Sequence, residues 1–345
     1  MNIKLLLKKA GIPIIIGAFL VVVLIAAGAL GISVQSLLSD SLRRVGMNGL
    51  LVLAMVPAIK SGTGPNFALP VGIVVGLFAL VCCMEWDLMG VNLLLVACLL
   101  AALFCGIVGW AYGKMLNAVK GAEMTIATYA GFSATALFAI VWLAAPFYNK
   151  KMGWMLGNGL RETIQMDAFD SAQILSNFLG FEVAGIEVPT GMLLFFLLCC
   201  VLMSLFFKTK AGIAIYAGGI NPRFAEAAGL NVNRTRVLAN VISTILAGVG
   251  IIIYSQGYGY AQLYNNPLTM AFPAVAAVLI GGATASKANC VNVVIGVCLF
   301  QTLLTSATPV MNNLFTGTDL SEIMRMIIQN GVILYALTQV KGGSR

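Results

Sequence analysis

The sequence contains no histidine and few charged residues, and each absence excludes a class of chemistry. Without histidine, the chain lacks the commonest acid–base catalyst, the base of most nucleophilic triads and the commonest metal ligand. Charged residues make up 9% of the 345 residues and hydrophobic residues 60%, whereas soluble domains carry roughly 25% charged residues. The mean hydropathy of +0.97 therefore indicates a polytopic membrane protein.

Three further patterns are missing. The eight cysteines form no C-x-x-C pair and lie in apolar runs, so we interpret them as small buried side chains. GGATASK (281–287) lacks the glycine that precedes the lysine of a phosphate-binding loop, so we do not expect this chain to hydrolyse ATP. Glu123 and Glu322 lie at the ends of apolar runs, not at their centres, which disfavours an ion-coupled carrier.

Ten apolar runs approach the length of about 20 residues that crosses about 30 Å of hydrocarbon. They are 12–31, 45–60, 69–84, 91–112, 124–147, 189–207, 237–256, 270–283, 290–307 and 323–340. The second and eighth are short, at 16 and 14 residues, so they are short spans or continue into non-helical backbone. The predicted fold is an all-α transmembrane bundle of about ten spans, one domain over residues 1–345.

The distribution of lysine and arginine predicts the orientation of this bundle. With the N-terminus in the cytoplasm, the inner loops carry a net charge of +12 and the outer loops −4, which satisfies the positive-inside rule. We therefore expect both termini to be cytoplasmic and assign the high pI to topology, not to nucleic-acid binding. The first 31 residues could instead form a signal peptide, but their apolar run is long for one, which favours a retained span.

Glycine patterns in the apolar runs predict close helix packing. Gly72 to Gly76 and Gly109 to Gly113 are both small-xxx-small spacings. Two other stretches share a Pro-Ala followed by glycines and an [IV]-V-x-G: MVPAIKSGTGPNFALPVGIVVGLF (55–78) and AFPAVAAVLIGGATASKANCVNVVIGVCLF (271–300). They indicate a possible internal repeat, with both copies running in the same direction across the membrane.

Two polar segments separate the apolar runs. Residues 148–188 are predicted to be external, with Asp170 capping a helix that places Ile174, Leu175, Phe178 and Leu179 on one side. Tyrosines 254, 258, 260 and 264 are assigned to a later outer loop, as an interfacial aromatic belt. Residues 208–236 are predicted to be cytoplasmic, and the signals for a short helix lie within them: Asn221 as N-cap, Pro222 at the first position and Gly229 past the end.

Polar side chains in the apolar runs are the candidates for a translocation path. The stretch after the second run has two glycines and two prolines in nine residues, and broken backbone at membrane depth lines a cavity or is buried in protein. The alternative is an ordinary cytoplasmic turn. The candidates are Asn48, Asn66, Phe67, Thr125, Thr128, Asn240, Ser243, Gln301 and Gln329. Neutral amides and hydroxyls suit an uncharged, polyhydroxylated solute.

The segment GINPRFAEAAGLNVNRTR, followed by a span and then by PAVAAVLIGGAT, resembles the inner-membrane permeases of ATP-binding-cassette importers for simple sugars, nucleosides, autoinducer-type furanoses and branched-chain amino acids. The matching positions of the first motif are Asn221, Ala225, Glu226, Ala227, Ala228, Gly229, Leu230, Asn231 and Val232. Those of the second are Ala276, Ala277, Val278, Gly281 and Gly282. Residues 61–72 depart from the family's G-G-[IL]-[DN]-L-[SA]-x-G stretch, which bears on the solute more than on the fold.

This resemblance implies the partners and the mechanism. A coupling helix formed by Asn221, Pro222, Arg223, Phe224, Ala225, Glu226, Ala227, Ala228 and Gly229 would contact a separate ATPase. The expected assembly contains a second permease, identical or paralogous, two ATPase subunits that use ATP and Mg²⁺, and an external substrate-binding protein, in the lipid of a bacterial inner membrane. This chain itself would carry no cofactor and no catalytic residue.

Simple sugars are the expected solutes, with nucleosides, autoinducer-type furanoses or branched-chain amino acids as alternatives. An ion-coupled secondary transporter would need an ion site and no ATPase. A polytopic membrane enzyme would need a cluster of polar catalytic groups at one interface, and the sequence shows none.

Overall fold

In the computed structural model of the protein, the described residues are 11–154, 159–284 and 286–314, together with 323, 326, 327, 330, 331 and 334. Their helices are α1 (Gly11–Ala29), α2 (Val34–Leu53), α3 (Met55–Lys60), α4 (Leu69–Glu85), α5 (Gly90–Ala118), α6 (Glu123–Ala144), α7 (Ile174–Asn177), α8 (Thr190–Phe206), α9 (Lys210–Ile220), α10 (Pro222–Ala227), α11 (Val232–Tyr258), α12 (Asn266–Thr269), α13 (Ala271–Ile280) and α14 (Cys290–Leu314). Four short strands are β1 (Thr163–Gln165), β2 (Phe181–Val183), β3 (Ile186–Val188) and β4 (Tyr260–Gln262). The chain is mostly helical, as predicted, but all-α is too narrow a class.

The helices have the length and composition of membrane spans. Among the described residues, six helical units are long and apolar enough to cross a membrane, counting α2 and α3 as one. The pair α8 and α9, bent by 77°, makes a seventh. Helix α4 and the segment 266–280 are shorter apolar helices. Nine of the ten predicted runs coincide with these elements, and the tenth, 323–340, lies largely outside the described residues.

The second predicted run is wrong at its N-terminal end. Helix α2 begins at Val34, where the hydroxyl of Ser33 accepts a backbone N–H at 3.3 Å as an N-cap. With α3, which follows after a single break at Ala54, it forms a 27-residue unit. The first turns of α2 were left out of the predicted apolar run because they contain three charged residues. These residues are Asp40, Arg43 and Arg44. Charged residues lower the hydropathy of a segment, but they do not prevent it from forming a helix.

Helix α11 lies at the centre of the bundle, against α2, α4, α5 and α9. A Cβ added at Gly76 would lie 2.4 Å from the carbonyl oxygen of Gly248, and one at Gly113 would lie 2.9 Å from the Cα of Val237. Gly72 and Gly109 also face α11 at short range. Both small-xxx-small patterns therefore let helices approach α11 closely, as predicted.

Segment 148–188 contains turns and strands in place of the predicted helix. Helix α7 has only four residues, and Asp170, with a φ of +51°, ends a 3₁₀ turn. Helix α7 is confined to one turn between Gln173 and Leu179, which both have positive φ, at +53° and +52°. Strand β1 pairs antiparallel with β4, and β2 with β3.

Two ion pairs among the described residues connect segment 148–188 to the rest of the chain. Lys151 Nζ lies 2.8 Å from Asp87 Oδ1, and this hydrogen bond lowers the pKa of Asp87 below its usual value. Arg43 of α2 lies 3.5 Å from Glu187 of β3.

Candidate functional site

Helix α10 is the short helix predicted from the capping residues. The side-chain oxygen of Asn221 accepts the backbone N–H of Phe224 at 3.1 Å, and Pro222 occupies the first turn. Gly229 has a φ of +82°, which completes the predicted end of the helix. The ring of Phe224 is 71% exposed, whereas Ala225 is buried. The helix therefore presents an aromatic side chain outward while its other side is anchored.

Helix α9 carries α10 and packs against the end of α3. A Cβ added at Gly219 would lie 2.0 Å from the carbonyl oxygen of Lys60 and 2.9 Å from the backbone nitrogen of Gly62. The Nζ of Lys60 lies 3.9 Å from the centroid of the Phe207 ring and 5.6 Å from that of Tyr216. The position before α10 is thus in backbone contact with the loop that follows α3.

That loop, residues 61–68, is held by the amide of Asn66. Asn66 Nδ2 donates to Ser243 Oγ of α11 at 2.8 Å, and Asn66 Oδ1 accepts from the Tyr112 hydroxyl of α5 at 3.1 Å. Asn66 Oδ1 also accepts the backbone N–H of Ala68 at 3.1 Å. The Ser243 hydroxyl then donates to the carbonyl oxygen of Ala54, at the break between α2 and α3, at 2.6 Å. The broken backbone is therefore buried in protein, one of the two environments predicted for it.

The loop ends next to a large cavity. The ring of Phe67 packs against Phe272 of α13, with centroids 5.6 Å apart, and Phe272 belongs to the cavity wall. The cavity has a volume of about 870 Å³. Its wall combines one cation, four side-chain amides and three aromatic rings with aliphatic side chains. These polar and aromatic residues are Arg44, Asn48, Asn266, Gln301, Asn330, Tyr254, Tyr258 and Phe272.

The structure divides the predicted path residues into three groups. Asn48 and Gln301 lie in the cavity wall. Phe67 is not in the wall but packs against Phe272, which is. Asn66, Asn240 and Ser243 are buried between helices. Thr125 and Thr128 lie on α6, away from the cavity, with Thr125 exposed and Thr128 donating to the carbonyl oxygen of Met124 at 2.9 Å. Gln329 lies outside the described residues.

Hydrogen bonds leave several amides free to bind a solute. Asn48 Nδ2 donates to the carbonyl oxygen of Arg44 at 3.0 Å. Its Oδ1 is therefore the atom that remains available to accept a hydrogen bond from a solute. Asn266 is 8% exposed, and its Nδ2 has no partner among the described residues. A buried amide without a partner costs about 1–3 kcal/mol, which a hydrogen bond to a solute would recover.

Four positions that matter in this geometry are absent from the predicted set. Arg44 gives the cavity wall a fixed charge, contrary to the expectation of a neutral lining, and its guanidinium lies 6.0 Å from the ring centroid of Tyr258. Tyr258 belongs to α11 and not to an outer loop. Lys60 and Gly219 form the contact between α3 and α9. A helical wheel of 34–53 could have placed Arg44 beside Asn48 on one face, but no local signal pairs Gly219 with Lys60.

A partly buried ion pair links the N-terminal part of α11 to α6. The guanidinium of Arg236, in the second turn of α11, binds the carboxylate of Glu123 at the start of α6, and Arg236 is 7% exposed. A buried pair of this kind fixes the register of the two helices, because separating the charges would leave each one desolvated. Among the described residues, no group of three or more side chains is arranged to hold a metal ion.

Comparison with known proteins places the chain in a family. Residues 37–337 match the family described as branched-chain amino acid transport system / permease component. No solved structure matches the chain.

Several curated proteins are similar over part of the chain. The nucleoside ABC transporter permease protein NupB of Lactococcus lactis is 25% identical over 202 residues, which cover 58% of this chain and 52% of NupB. The probable ABC transporter permease protein YphD of Escherichia coli is 32% identical over 39% of this chain and 38% of its own length. The galactofuranose transporter permease protein YtfT of Escherichia coli is 29% identical over 56% of this chain and 64% of its own length. The chain thus spans from about two fifths to just under two thirds of these relatives.

Proposed function

Because the chain belongs to the family of branched-chain amino acid transport system permease components, we propose that it is the membrane-spanning permease subunit of an ATP-binding-cassette importer. It forms the path for a small solute and hydrolyses no ATP itself. Two permease subunits, two ATPase subunits and an external binding protein make up the working assembly, in a bacterial inner membrane. The relatives are ABC permeases, which supports this assignment.

The proposed topology has about ten spans with both termini in the cytoplasm. It makes 208–236 cytoplasmic and 148–188 external, and it treats residues 1–345 as one permease domain. The charge distribution of the loops supports this orientation. The cavity wall contains Tyr258, at the outer end of α11 in this topology, and Arg44, whose guanidinium lies 6.0 Å from the centroid of the Tyr258 ring, so we place the cavity on the side from which the solute is delivered.

The contact route from α10 to the cavity carries the proposal. Phe224 is exposed for a partner, Gly219 rests on Lys60, and the loop behind Lys60 ends at Phe67 against the cavity wall. ATP binding would draw the ATPases together and displace α10 as a rigid body. The loop 61–68 would pass this displacement to α13 and change access to the cavity.

The solute we propose is a simple sugar, and a nucleoside is the second candidate. The amides of Asn48, Asn266 and Gln301 bind hydroxyl groups, and the rings of Tyr254 and Tyr258 offer a face for stacking. The described wall contains the cation Arg44 and no carboxylate, which favours a neutral solute over a cationic one. Similarity to galactofuranose and nucleoside permeases supports both candidates.

The decisive experiment removes the exposed ring of the coupling helix. Phe224→Ala should leave the protein inserted, because the ring packs against little of the chain, but should abolish capture of the co-expressed ATPase and uptake of the solute. Trp86→Ala is the matched control, since Trp86 is a 61% exposed aromatic residue in the loop at the other end of α4. Normal ATPase capture by the Phe224 variant would contradict the role of α10.

The uptake measurement also distinguishes the ATPase-driven mechanism from that of a secondary transporter. Uptake that stops when an uncoupler collapses the ion gradient, while cellular ATP is maintained, would overturn the ATPase-driven mechanism. Uptake into vesicles that contain this chain alone would do the same.

A further inference from the structure

Two neighbouring arginines of α2 have different surroundings. The guanidinium of Arg43 lies 3.5 Å from the carboxylate of Glu187. Arg44 belongs to none of the three ion pairs found among the described residues, and it lies in the wall of the large cavity. Asp40, one helical turn earlier, is exposed, is not paired with Arg44 and does not belong to the wall. Within the described chain, the cavity therefore contains a cation without a counter-ion.

Two amides of the same wall are unpaired although they are buried. Asn266 is 8% exposed and Gln301 is 6% exposed. The Nδ2 of Asn266 has no hydrogen-bond partner among the described residues. Gln301 accepts from Thr305 Oγ1 at 2.8 Å through its backbone carbonyl, and no described residue bonds to its side chain. Buried polar groups are nearly always hydrogen-bonded, so these two amides point to a polar molecule that binds them.

The charge of the wall limits the acidic groups that it can take. A guanidinium binds a carboxylate through two parallel N–H donors, and its single positive charge matches the single negative charge of that group. A phosphate monoester carries about −1.5 to −2 charges at pH 7, which is more than Arg44 neutralises. A zwitterionic amino acid would bring an ammonium group, for which the described wall offers no carboxylate. The wall therefore favours a monocarboxylate without an amino group.

The remaining wall residues favour hydroxyl groups on that monocarboxylate. Asn48 lies one helical turn after Arg44, about 6 Å along the axis, and its Oδ1 can accept from a hydroxyl. The unpaired amides of Asn266 and Gln301 can donate to hydroxyl oxygens. The ring centroid of Tyr258 lies 6.0 Å from the guanidinium, so its face can stack on an adjoining sugar ring. The volume of about 870 Å³ falls within the roughly 300–1,000 Å³ of small-molecule sites.

We propose that the cavity takes a sugar acid, with its carboxylate on the guanidinium of Arg44 and its hydroxyl groups on the amides of the wall. This inference rests on the proposed function and narrows its solute class to sugars that carry one carboxylate. Arg44 is then a specificity-determining residue, because it separates the acid from the neutral sugar of the same shape.

Binding to the purified full chain tests this role without transport. The thermal midpoint in detergent is measured over one concentration series of D-glucuronate, D-galacturonate, D-glucose, D-galactose and acetate. The two sugar acids should bind at least about tenfold more tightly than the two neutral sugars, because charge-assisted hydrogen bonds are about twice as strong as neutral ones. Acetate has the carboxylate without the hydroxyl groups and should not raise the midpoint.

The neighbouring arginine provides a matched control. Arg44→Gln removes the charge and should abolish the preference for the acids, while binding of the neutral sugars stays unchanged. Arg43→Gln should keep the preference, since Arg43 does not line this cavity. Arg44→Lys keeps the charge but not the two parallel donors, so it should weaken binding of the acids. This variant keeps the test valid if Arg44→Gln does not fold.

Four results would overturn the proposal. The first is an equal effect of sugar acids and neutral sugars on the midpoint, or no effect of either. The second is a preference for the acids that survives Arg44→Gln. The third is a rise with acetate equal to that with the sugar acids, which would mean that any carboxylate binds. The fourth is an Arg44-dependent rise with added phosphatidylglycerol but none with the sugar acids, which would assign Arg44 to a lipid headgroup.

These measurements are independent of the coupling helix. None of them uses the ATPase, so the preference for sugar acids can fail while ATPase capture through Phe224 succeeds. Conversely, binding of the acids can succeed while ATPase capture fails, which would contradict the proposed function and leave the site in place.

Discussion

Two segments of the chain, 55–85 and 271–314, have the same local plan but different surroundings. Each begins with a short helix that contains a Pro-Ala pair, α3 or α13, and each continues through a glycine loop into a longer helix. Gly62 and Gly64 have φ of +79° and +80° in the first loop, and Gly282 has +89° in the second. In both loops an asparagine side chain secures the turn. The two stretches that suggested an internal repeat therefore fold in the same order of elements.

The two loops differ in what holds them. In the second, Asn292 Nδ2 of α14 donates to the carbonyl oxygen of Gly281 at 2.7 Å, and a Cβ at Gly296 would lie 1.9 Å from the carbonyl oxygen of Ala277. That loop is closed by its own following helix. In the first, Asn66 reaches α5 and α11, and Gly62 packs on Gly219 of α9.

This difference shows how one local motif can serve two mechanical purposes. The hydrogen bonds described for the second loop all stay within a single helix–loop–helix unit, so this unit is suited to move as a rigid body. The first loop is hydrogen-bonded to two other helices, α5 and α11, and packs against a third, α9, which carries α10, so we expect a displacement of α10 to strain it. Three substitutions test this contrast, in order of decreasing effect.

The largest effect is expected from Gly219→Ala. Its Cβ would lie 2.0 Å from the carbonyl oxygen of Lys60, a separation that real Cβ atoms essentially never show, so α9 must move off the first loop. Uptake should fall at least about tenfold, equivalent to about 1.4 kcal/mol, while ATPase capture persists because Phe224 is untouched. Solute uptake and ATPase capture are measured in parallel.

Gly218→Ala is the control for that substitution. Its Cβ would meet Thr235 Oγ1, a side-chain atom that can rotate, at 3.2 Å. Equal uptake by the two variants would show that the contact between Gly219 and Lys60 transmits nothing.

The next effect is expected from Asn66→Ala. This change removes three hydrogen bonds and leaves the buried Tyr112 hydroxyl without its partner. We expect a loss of about 2–4 kcal/mol in unfolding free energy, with a lower thermal midpoint in detergent. A midpoint unchanged from the native protein would mean that the loop is not held by this amide.

The smallest effect is expected from the matching change in the second loop, Asn292→Ala. Asn292 is only partly buried and makes two hydrogen bonds, to Gly281 and Asn289, so we expect a loss of about 1 kcal/mol. Uptake should stay close to normal, because the hydrogen bonds described for this loop do not involve residues 208–236. If Asn292→Ala abolished uptake while Asn66→Ala did not, the roles given to the two loops would have to be exchanged.

Local signals in the sequence predicted most of the helices and the coupling helix. Apolar runs predicted nine helical elements, and Asn221, Pro222 and Gly229 predicted α10 to within one or two residues because capping depends on neighbouring backbone groups. The same reasoning failed where polar residues occupy helical turns, as at Arg44. It also failed in 148–188, where residues with positive φ end α7 after one turn.

The candidate site was predicted only in part, because a cavity is made by residues from distant segments. Asn48 and Gln301 were chosen as polar residues in apolar runs, and both lie in the wall. Asn66 and Ser243 satisfied the same criterion but bond to each other across 177 positions, and neither lies in the cavity wall. A single polar residue in a span does not reveal which neighbour it meets.

What the sequence by itself determined about this protein is membrane residence, helical content and the one capped helix between spans, since hydropathy and capping are properties of contiguous residues. Only the tertiary structure decided that Gly219 rests on Lys60, that Arg44 enters the cavity wall and that Asn66 bonds to Ser243. These outcomes depend on how helices far apart in the chain approach one another, and close approach is set by the packing of the whole bundle.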